Sequence, residues 1–423
     1  MVLNQKMKFA KYLVVVCCIV LPWNATAVNH NSMADKLLGQ KFGRNLIDSL
    51  LVKSLLEITQ GNTKQALDTV NELIRTTPNF KLAYLIRGDL ISSQGRALAA
   101  FGDPATSQAN AVSDEEIKGL REEARTRIDY YLSDKKTSQQ PNLLVHLSPE
   151  QPHVIVVDAA KSRLFLYKNV DGNLQYVADY YVTIGKNGFG KQVQGDKRTP
   201  VGVYFAGKKL QQTLDDMYGD AAYPLNYPNE LDNHHNKTGS GIWLHGTPTN
   251  TYSRPPRASD GCVVLSRPDL KALEPVLKAG QTPVIIASNL EWQQDDNAHK
   301  VSSKAEALQQ AIEDWRKDWA SQNTDAYLSH YSNQFFYSDG GLGQWADYKR
   351  VIQASKPKVA IEIKDVSMFD YPSASLPKLA NQEVVMVNFE QDFTSPSLQN
   401  KMRKRQYWTQ ENNQWKIIYE GAG

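Results

Sequence analysis

The sequence predicts a multidomain α+β protein with a helical N-terminal region, a β-rich middle domain and a C-terminal α+β cone. Three patterns predict this fold class: apolar residues at three- and four-residue spacing through 32–132, short β-branched and aromatic runs from His153 onward, and a long amphipathic helix followed by strands after residue 303. A chain of 423 residues, 41% hydrophobic and 22% charged, has the length of about three globular domains.

Polar stretches divide these regions, because neither 133–150 nor 290–302 shows a strong apolar periodicity. The predicted order is a signal peptide at 1–27, a helical region at 32–132, a linker at 133–150, a middle domain at 151–289, a linker at 290–302 and a C-terminal domain at 303–423.

The first 27 residues have the pattern of a secretory signal peptide. Lys6, Lys8 and Lys11 precede the apolar run Tyr12–Trp23, and Ala25-Thr26-Ala27 supplies a cleavage site. The apolar run is shorter than the roughly 20 residues that a membrane-spanning helix needs. We therefore expect secretion, with cleavage after Ala27.

Cleavage would change both the charge and the cysteine count. The chain has 48 Lys and Arg against 45 Asp and Glu, a net charge of +3, and three cysteines. The signal segment holds three of the lysines and two of the cysteines, so the mature chain is charge-balanced and keeps Cys262 as its one thiol. This balance excludes a dedicated nucleic-acid binder, and one thiol excludes a disulfide scaffold.

The helical region contains about one and a half units that resemble a tetratricopeptide repeat. Ala66 falls on the small-residue position where paired helices cross, Pro78 ends the first unit, and Tyr84 and Gly88 fall on the aromatic and glycine positions of the next. Because three repeats are usual, two interpretations stay open: a helical hairpin used for packing or dimerisation, and a peptide-binding groove.

The middle domain is predicted as a closed or sandwiched antiparallel sheet, because short apolar runs alternate with glycine and proline turns. The predicted strands are 153–157, 163–167, 176–184, 201–206, 241–244, 262–265 and 283–287, with one helix at 270–277.

A histidine ends one of these strands and a cysteine begins the next. An imidazole beside a thiol can accept its proton and so create the nucleophilic thiolate, which makes His245 and Cys262 a candidate catalytic pair. Gly261 lets a carbonyl substrate approach the backbone and leaves N–H groups for an oxyanion. The alternative for Cys262 is a buried structural thiol.

Three short motifs in this domain resemble the catalytic domain of the L,D-transpeptidases, cysteine enzymes that remodel bacterial peptidoglycan. They are Thr199-Pro200-Val201-Gly202, His245-Gly246-Thr247 and Ser259-Asp260-Gly261-Cys262. The resemblance implies attack on the carbonyl at the L-centre of meso-diaminopimelate in a tetrapeptide stem, with release of D-alanine. It also implies a periplasmic location and peptidoglycan stem peptides as the partner.

The resemblance assigns roles residue by residue. Cys262 would be the nucleophile and His245 its proton donor and acceptor, while Gly261 and the Cys262 amide would form the oxyanion site. The Ser259 backbone carbonyl would orient His245. Gly246 would keep the pocket open beside the base.

Two positions depart from the family pattern. Asp260 replaces a histidine, and Val264 replaces an arginine whose guanidinium would suit a substrate carboxylate. Arg254, Arg257 or Arg267 is expected to substitute, with Arg257 as the first candidate because it is nearest upstream of the cysteine. Tyr252 is expected to line the cleft. Asp215, Asp216, His234 and His235 lack metallopeptidase spacing, so neither metal nor cofactor is expected.

The C-terminal domain resembles the cone-shaped nuclear-transport-factor-2-like (NTF2-like) fold, because one long helix precedes a curved sheet. The apolar face of the helix runs through Leu308–Trp319, and a short helix at 327–331 follows. The predicted strands are 360–369, 383–394, 404–411 and 415–419. Trp315, Tyr337 and Trp345 would line a pocket in the cone or belong to its core.

The three parts together resemble the cell-shape L,D-carboxypeptidases of helical bacteria. Two fates of a Cys262 thioester therefore stay open: aminolysis, which is transpeptidation and the leading hypothesis, and hydrolysis, which trims tetrapeptides to tripeptides. A third hypothesis is a catalytically idle scaffold whose terminal domains bind envelope proteins. The oligomeric state is left open by the sequence.

Overall fold

The computed structural model of the protein describes residues 46–103, 113–133, 139–294, 303–355, 358–372 and 382–423, and the expected signal peptide lies outside these ranges. Within them, no helix combines the length and the apolar character needed to span a membrane.

Within the described residues 46–103 and 113–133, the N-terminal region has four helices: α1 (Leu46–Thr59), α2 (Thr63–Thr76), α3 (Lys81–Ser92) and α4 (Asp114–Leu132). Helix α4 begins where the Ser113 hydroxyl accepts a hydrogen bond from the Glu116 N–H, and acidic side chains in its first turn face the positive end of the helix dipole. Ala66 is fully buried between the helices, whereas Tyr84 is exposed. The tetratricopeptide resemblance stays a prediction.

The middle domain is built on a five-stranded sheet in the order β5-β4-β3-β12-β7. Its strands are β3 (His153–Asp158), β4 (Arg163–Val170), β5 (Asn173–Tyr181), β7 (Gly202–Phe205) and β12 (Pro283–Ala287).

Smaller pairings complete the middle domain around a three-stranded sheet in the order β11-β9-β8. The remaining elements are β6 (Ile184–Gly185), β8 (Ala222–Pro224), α5 (Glu230–His234), β9 (Trp243–Gly246), β10 (Arg257–Ser259), β11 (Val263–Leu265) and α6 (Arg267–Leu273).

The expectation of an antiparallel sheet is wrong in part. Strand β12 runs parallel to β3, with Val284 opposite Ile155, and β11 runs parallel to β9. The chain between β3 and β12 spans more than a hundred residues and includes α6, and such crossover connections are what parallel pairing requires.

The C-terminal domain is a seven-stranded sheet that curls around helices α7 (Ser303–Ser321), α8 (Thr324–Ser329) and α9 (Leu342–Ala354). The sequence analysis did not predict α9. The strands of this domain are β14 (Tyr331–Tyr337), β15 (Gly340–Gly341), β16 (Ala360–Asp370), β17 (Val384–Ser395), β18 (Leu398–Glu411) and β19 (Gln414–Ala422).

Three aromatic side chains expected in or beside a pocket pack in the core of this domain. Trp315 is fully buried, Trp345 is 8% exposed, and the Tyr337 ring lies 5.0 Å from the Trp345 ring. Burial of aromatic area stabilises the cone. The core interpretation therefore describes them better than a pocket lining.

Parts of both predicted linkers are strands. Strand β1 (Gln139–Pro141) pairs with β13 (Trp292–Gln294), and β2 (Leu144–His146) adds an edge strand to β16 of the C-terminal sheet. These segments lack the periodicity that predicts a strand because backbone groups, rather than a continuous apolar face, make the pairing.

The five-stranded sheet is covered on both faces. One face packs under the small sheet through residues that include Ile155, Leu164 and Ile286. The other face packs on the C-terminal domain, where Val156 and Ile285 share a core with Phe369 and Met386. Near-continuous apolar runs such as Val154–Val157 follow from this double burial.

A buried cluster of charges joins the N-terminal helices to the middle domain. Arg127 on α4 pairs with Asp48 on α1 and with Glu123 at 2.9 Å. Arg163 on β4 also contacts Asp48, at 3.1 Å, and lies 3.3 Å from Asp179. Because each of these charges has been removed from water, each depends on its partners for stabilisation.

We expect Arg127→Met to lower the free energy of unfolding by about 3–5 kcal/mol, because it keeps an apolar stem but leaves two buried carboxylates short of a cation. Urea unfolding followed by circular dichroism measures the loss. Lys53→Ala is the matched control, since Lys53 forms an exposed pair with Glu57 at 3.9 Å and should cost less than about 1 kcal/mol. Equal losses in the two variants would contradict a stabilising role of the cluster.

Candidate active site

Parallel pairing of two short strands brings the predicted catalytic residues together. Val264 on β11 lies beside His245 on β9, and Cys262 stands just before β11, two residues ahead of Val264. Because side chains alternate along a strand, positions 262 and 264 belong to the same face as His245. In this parallel register Cys262 lies opposite Trp243, two positions before His245, so the thiol and the imidazole lie on the same face of the small sheet.

The Cys262 thiol is held in a polar backbone setting. Its Sγ lies 3.4 Å from the Gly241 carbonyl oxygen, to which the S–H donates, and the Trp243 N–H donates to the sulfur. Burial raises the pKa of Cys262 to about 11, against a lowering by the Trp243 N–H and by the charge of Arg254. The resting nucleophile is therefore a protonated thiol.

His245 is also neutral at rest. Its side chain is 2% exposed, and this burial lowers its pKa to about 4, although hydrogen bonds to the Gly246 and Tyr218 carbonyls raise it. The Tyr218 ring packs edge-on against the imidazole at 5.2 Å. Tyr218 carries no motif signal, so the sequence analysis missed it.

The orientation of the imidazole fixes which nitrogen can act as a base. His245 Nδ1 lies 2.8 Å from the Gly246 carbonyl oxygen. Since a carbonyl can only accept, the hydrogen of the neutral ring is on Nδ1 and the lone pair is on Nε2. Nε2 is then the atom that can take the thiol proton.

The Gly246 carbonyl therefore orients His245, which is the role that was expected of the Ser259 carbonyl. Ser259 O accepts a hydrogen bond of 2.7 Å from the Lys186 N–H instead. Gly246 does not border an open space either, because an added Cβ would lie 3.4 Å from Gly219 Cα. The Ser259 carbonyl points to the paired residues after β6, and Gly246 packs against the turn at 219, so each position depends on a distant segment that the motif does not contain.

Ser259 acts through its hydroxyl. Ser259 Oγ donates to the Cys262 carbonyl at 2.7 Å and accepts from the Gly261 N–H at 3.1 Å. These two bonds close the tight turn that presents the thiol. The Gly261 N–H is thus engaged in this turn, which differs from the expected open oxyanion donor at that residue.

Position 261 requires glycine. Its φ is +128°, and an added Cβ would lie 2.9 Å from the Arg198 carbonyl oxygen. Thr199 Oγ1 donates to the Gly261 carbonyl at 2.9 Å and itself accepts a hydrogen bond from the Gly185 N–H. The Thr199 motif therefore acts as a brace behind the nucleophile turn.

Tyr252 lies away from the cleft, contrary to expectation. It is 7% exposed, its ring packs 5.0 Å from that of Phe80, and its N–H donates to the Asn79 carbonyl. It fills the contact between the N-terminal helices and the loop at 247–256. The position of Tyr252 near the motif in the sequence does not show whether its side chain lines the cleft or packs in an interdomain core.

The three candidate arginines occupy different places. Arg257 is exposed on β10, and Arg267 pairs with Asp220. Arg254 is partly buried, and its charge acts on both Cys262 and His245. The structure thus favours Arg254 over Arg257 as the cation of the site. Asp260 is exposed and pairs with Lys186 at 3.1 Å.

The acidic and histidine residues considered for a metal lie apart. Asp216 accepts from the Thr249 N–H at 3.2 Å, whereas the His234 ring stacks on Phe336 at 3.8 Å. Among the residues that the structure describes, no group of three His, Cys, Asp or Glu side chains is arranged to hold a metal.

Comparison with known families now decides the class of this site. The sequence at 152–286 matches the family model of the L,D-transpeptidase catalytic domain. Residues 307–421 match the model of the Cds6 C-terminal NTF2-like domain. Both resemblances drawn from the sequence are confirmed, and the catalytic domain is of the peptidoglycan-acting L,D-transpeptidase and carboxypeptidase type.

Two solved structures are similar to about two thirds of this chain or slightly more. The helical cell shape determining protein Pgp2 from Campylobacter jejuni is 25% identical, with a TM-score of 0.56, and the similarity covers 70% of this chain and 99% of that one. Bdellovibrio bacteriovorus Bd1075 is also 25% identical with a TM-score of 0.56, covering 67% and 98%. No curated protein sequence matches the chain.

The pKa values of the L,D-transpeptidase domain predict how Cys262 reacts with iodoacetamide. Because the thiol is protonated up to about pH 11, the alkylation rate should rise about tenfold per pH unit between pH 8 and 10. Mass spectrometry of the peptide that contains Cys262 measures the rate. In urea-unfolded protein the midpoint should return to that of an ordinary thiol. A plateau below pH 8 in the folded protein would contradict the neutral pair and indicate a thiolate and an imidazolium.

Proposed function

We propose that the protein is a periplasmic, peptidoglycan-remodelling cysteine acyltransferase that forms a thioester between Cys262 and a tetrapeptide stem. The observation that carries this proposal is the thiol just before β11, on the same face as a histidine whose Nδ1 bonds to the Gly246 carbonyl, an arrangement that assigns the basic lone pair to Nε2. The match of residues 152–286 to the L,D-transpeptidase domain supports the substrate class.

The neutral pair suits a reaction in which the proton moves with the attack. As Cys262 Sγ bonds to the carbonyl carbon at the L-centre of meso-diaminopimelate, its proton passes to His245 Nε2. His245 then returns that proton to the nitrogen of D-alanine as the carbon–nitrogen bond breaks. The Gly246 carbonyl holds Nδ1–H throughout and favours the transient imidazolium.

The thioester can pass to an amine or to water. Aminolysis would make the protein an L,D-transpeptidase, and hydrolysis would make it an L,D-carboxypeptidase. The combination of a helical region, this catalytic domain and an NTF2-like domain resembles the cell-shape carboxypeptidases, which favours hydrolysis, and the similarity to the helical cell shape determining protein Pgp2 covers 70% of this chain. A role in cell shape follows as part of the proposal, and the proposed periplasmic location agrees with where stem peptides are found.

Purified tetrapeptide muropeptides distinguish these outcomes. We expect tripeptide monomers and free D-alanine as the main products, identified by mass spectrometry after incubation with the mature protein. Cross-linked dimers as the main product would instead support transpeptidation. Cys262→Ala should abolish either product, since it removes the only sulfur that could carry the thioester. Unchanged muropeptides with the wild-type protein would contradict the proposal and favour the inactive scaffold.

Ser259→Ala tests whether this serine acts through its hydroxyl. The variant keeps the backbone carbonyl but loses the two hydrogen bonds that close the nucleophile turn. We expect kcat to fall about 10- to 100-fold with a small change in KM, because the thiol is misplaced rather than the substrate released. Ser259→Thr keeps the hydroxyl and should recover much of the rate. Full activity in Ser259→Ala would show that the carbonyl alone suffices.

A further inference from the structure

Arg254 is a partly buried guanidinium beside the nucleophile. Burial raises the pKa of Cys262 and lowers that of His245, whereas the charge of Arg254 lowers both. The Arg254 Nη2 donates to the Ala258 carbonyl oxygen. Asp260, the acidic residue next to the turn, pairs with Lys186. The charge of Asp260 also acts on Arg254, but the guanidinium donates its side-chain hydrogen bond to the neutral Ala258 carbonyl, which uses one of its five N–H donors.

The backbone of Arg254 is tied to the catalytic strands. Its carbonyl accepts from Tyr181 Oη and from Thr183 Oγ1, each at 3.0 Å. Thr183 in turn exchanges two backbone hydrogen bonds of 2.9 Å with Val264, which lies beside His245. Arg254 thus stands one strand away from the base and nucleophile, although it comes from a separate loop.

The N-terminal region holds the same loop from the other side. Ser253 Oγ donates to Glu123 on α4 at 2.6 Å, and Glu123 is fixed by Arg127. Gly119 on α4 packs against Pro255 so closely that an added Cβ would lie 2.7 Å from Pro255 Cγ. Residues 253–255 are therefore clamped between α4 and β5, and the direction of the Arg254 side chain depends on both.

We propose that Arg254 binds a carboxylate of the peptide substrate and that helix α4 positions it through the Glu123–Ser253 hydrogen bond. The proposal rests on the proposed function, because a stem peptide supplies two carboxylates near the scissile bond: the terminal one of D-alanine and the side-chain one of diaminopimelate. A guanidinium fork matches either of them with two parallel hydrogen bonds. The N-terminal helices then complete the substrate site.

Substrate analogues test the contact with Arg254. For the wild-type protein, amidation of the recognised carboxylate should lower kcat/KM about 10- to 100-fold, mainly through KM. Two peptides, one amidated at D-alanine and one at the diaminopimelate side chain, identify which carboxylate it is. Arg254→Ala should show the same loss on the unmodified peptide and no further loss on the sensitive analogue.

Several outcomes would overturn this assignment. One is that Arg254→Ala still discriminates fully between the unmodified and the amidated peptide. Another is a larger rise in KM in Arg257→Ala than in Arg254→Ala. A shift in the pH profile of Cys262 alkylation with unchanged KM would show that Arg254 serves the thiolate and not the substrate. Lys271→Ala, which removes an exposed charge on α6, is the matched control and should leave KM unchanged. If the wild-type protein turns over no peptide, the proposed function fails before Arg254 is tested.

The positioning role of α4 is tested with Ser253→Ala. This variant should raise KM about 3- to 10-fold, and the double variant Ser253→Ala, Arg254→Ala should be no worse than Arg254→Ala alone, because both act through one contact. Ser253→Thr keeps the hydroxyl and should restore KM. Arg125→Ala on the exposed face of α4 is the control. Additive losses in the double variant would contradict positioning, since a general loss of stability acts independently of Arg254.

Discussion

Two guanidinium groups and the carboxylates around them are buried where the N-terminal helices meet the catalytic sheet. Asp48 lies between Arg127 and Arg163, so that α1, α4 and β4 each contribute one charge to a shared set of ion pairs. Separating the helices from the sheet would leave these charges unpaired or require full hydration of all of them at once. This constraint keeps the helices docked, and through Glu123 and Ser253 it reaches the loop beside Cys262.

The C-terminal domain is held against the catalytic domain in a comparable way. Glu230 on α5 pairs with Arg405 at 3.0 Å and accepts from Tyr407 Oη at the same distance, while Asn229 Nδ2 donates to Tyr371 Oη. Both terminal domains therefore contact the catalytic sheet. The loop at 247–256 contacts α4 through Ser253 and Glu123, so the N-terminal helices act on this loop directly.

The electrostatics of the pair follow from its burial. A thiol with a pKa of about 11 and an imidazole with a pKa of about 4 exclude a preformed ion pair near neutral pH. A substrate that excludes water and brings a carboxylate near Arg254 changes the field on both groups, so acylation is coupled to binding. The resting thiol is also poorly reactive towards oxidants, because oxidation requires thiolate character.

Local sequence determined much of this protein. Alternating apolar runs specified most strands of the two sheets, and the short motifs at Thr199, His245 and Cys262 specified the catalytic domain, because a tight turn and a strand end depend on residues close in the chain. The cone was predictable from one amphipathic helix and its strands. Helix α9 and the polar strands β1 and β13 were not, because their periodicity is weak or absent and long-range pairing stabilises them.

Tertiary structure alone decided which atoms surround the pair. Tyr252 lies in an interdomain core and not in the cleft. The carbonyl that bonds to His245 belongs to Gly246 and not to Ser259. The cation whose charge acts on the thiol is Arg254 and not Arg257. Each outcome depends on contacts between distant residues, such as Ser253 with Glu123 across 130 positions of sequence. The sequence by itself determined the nucleophile and the base, because their chemistry is a property of the side chain. Only the fold decided their partners, because a hydrogen bond depends on where distant backbone and side-chain atoms meet.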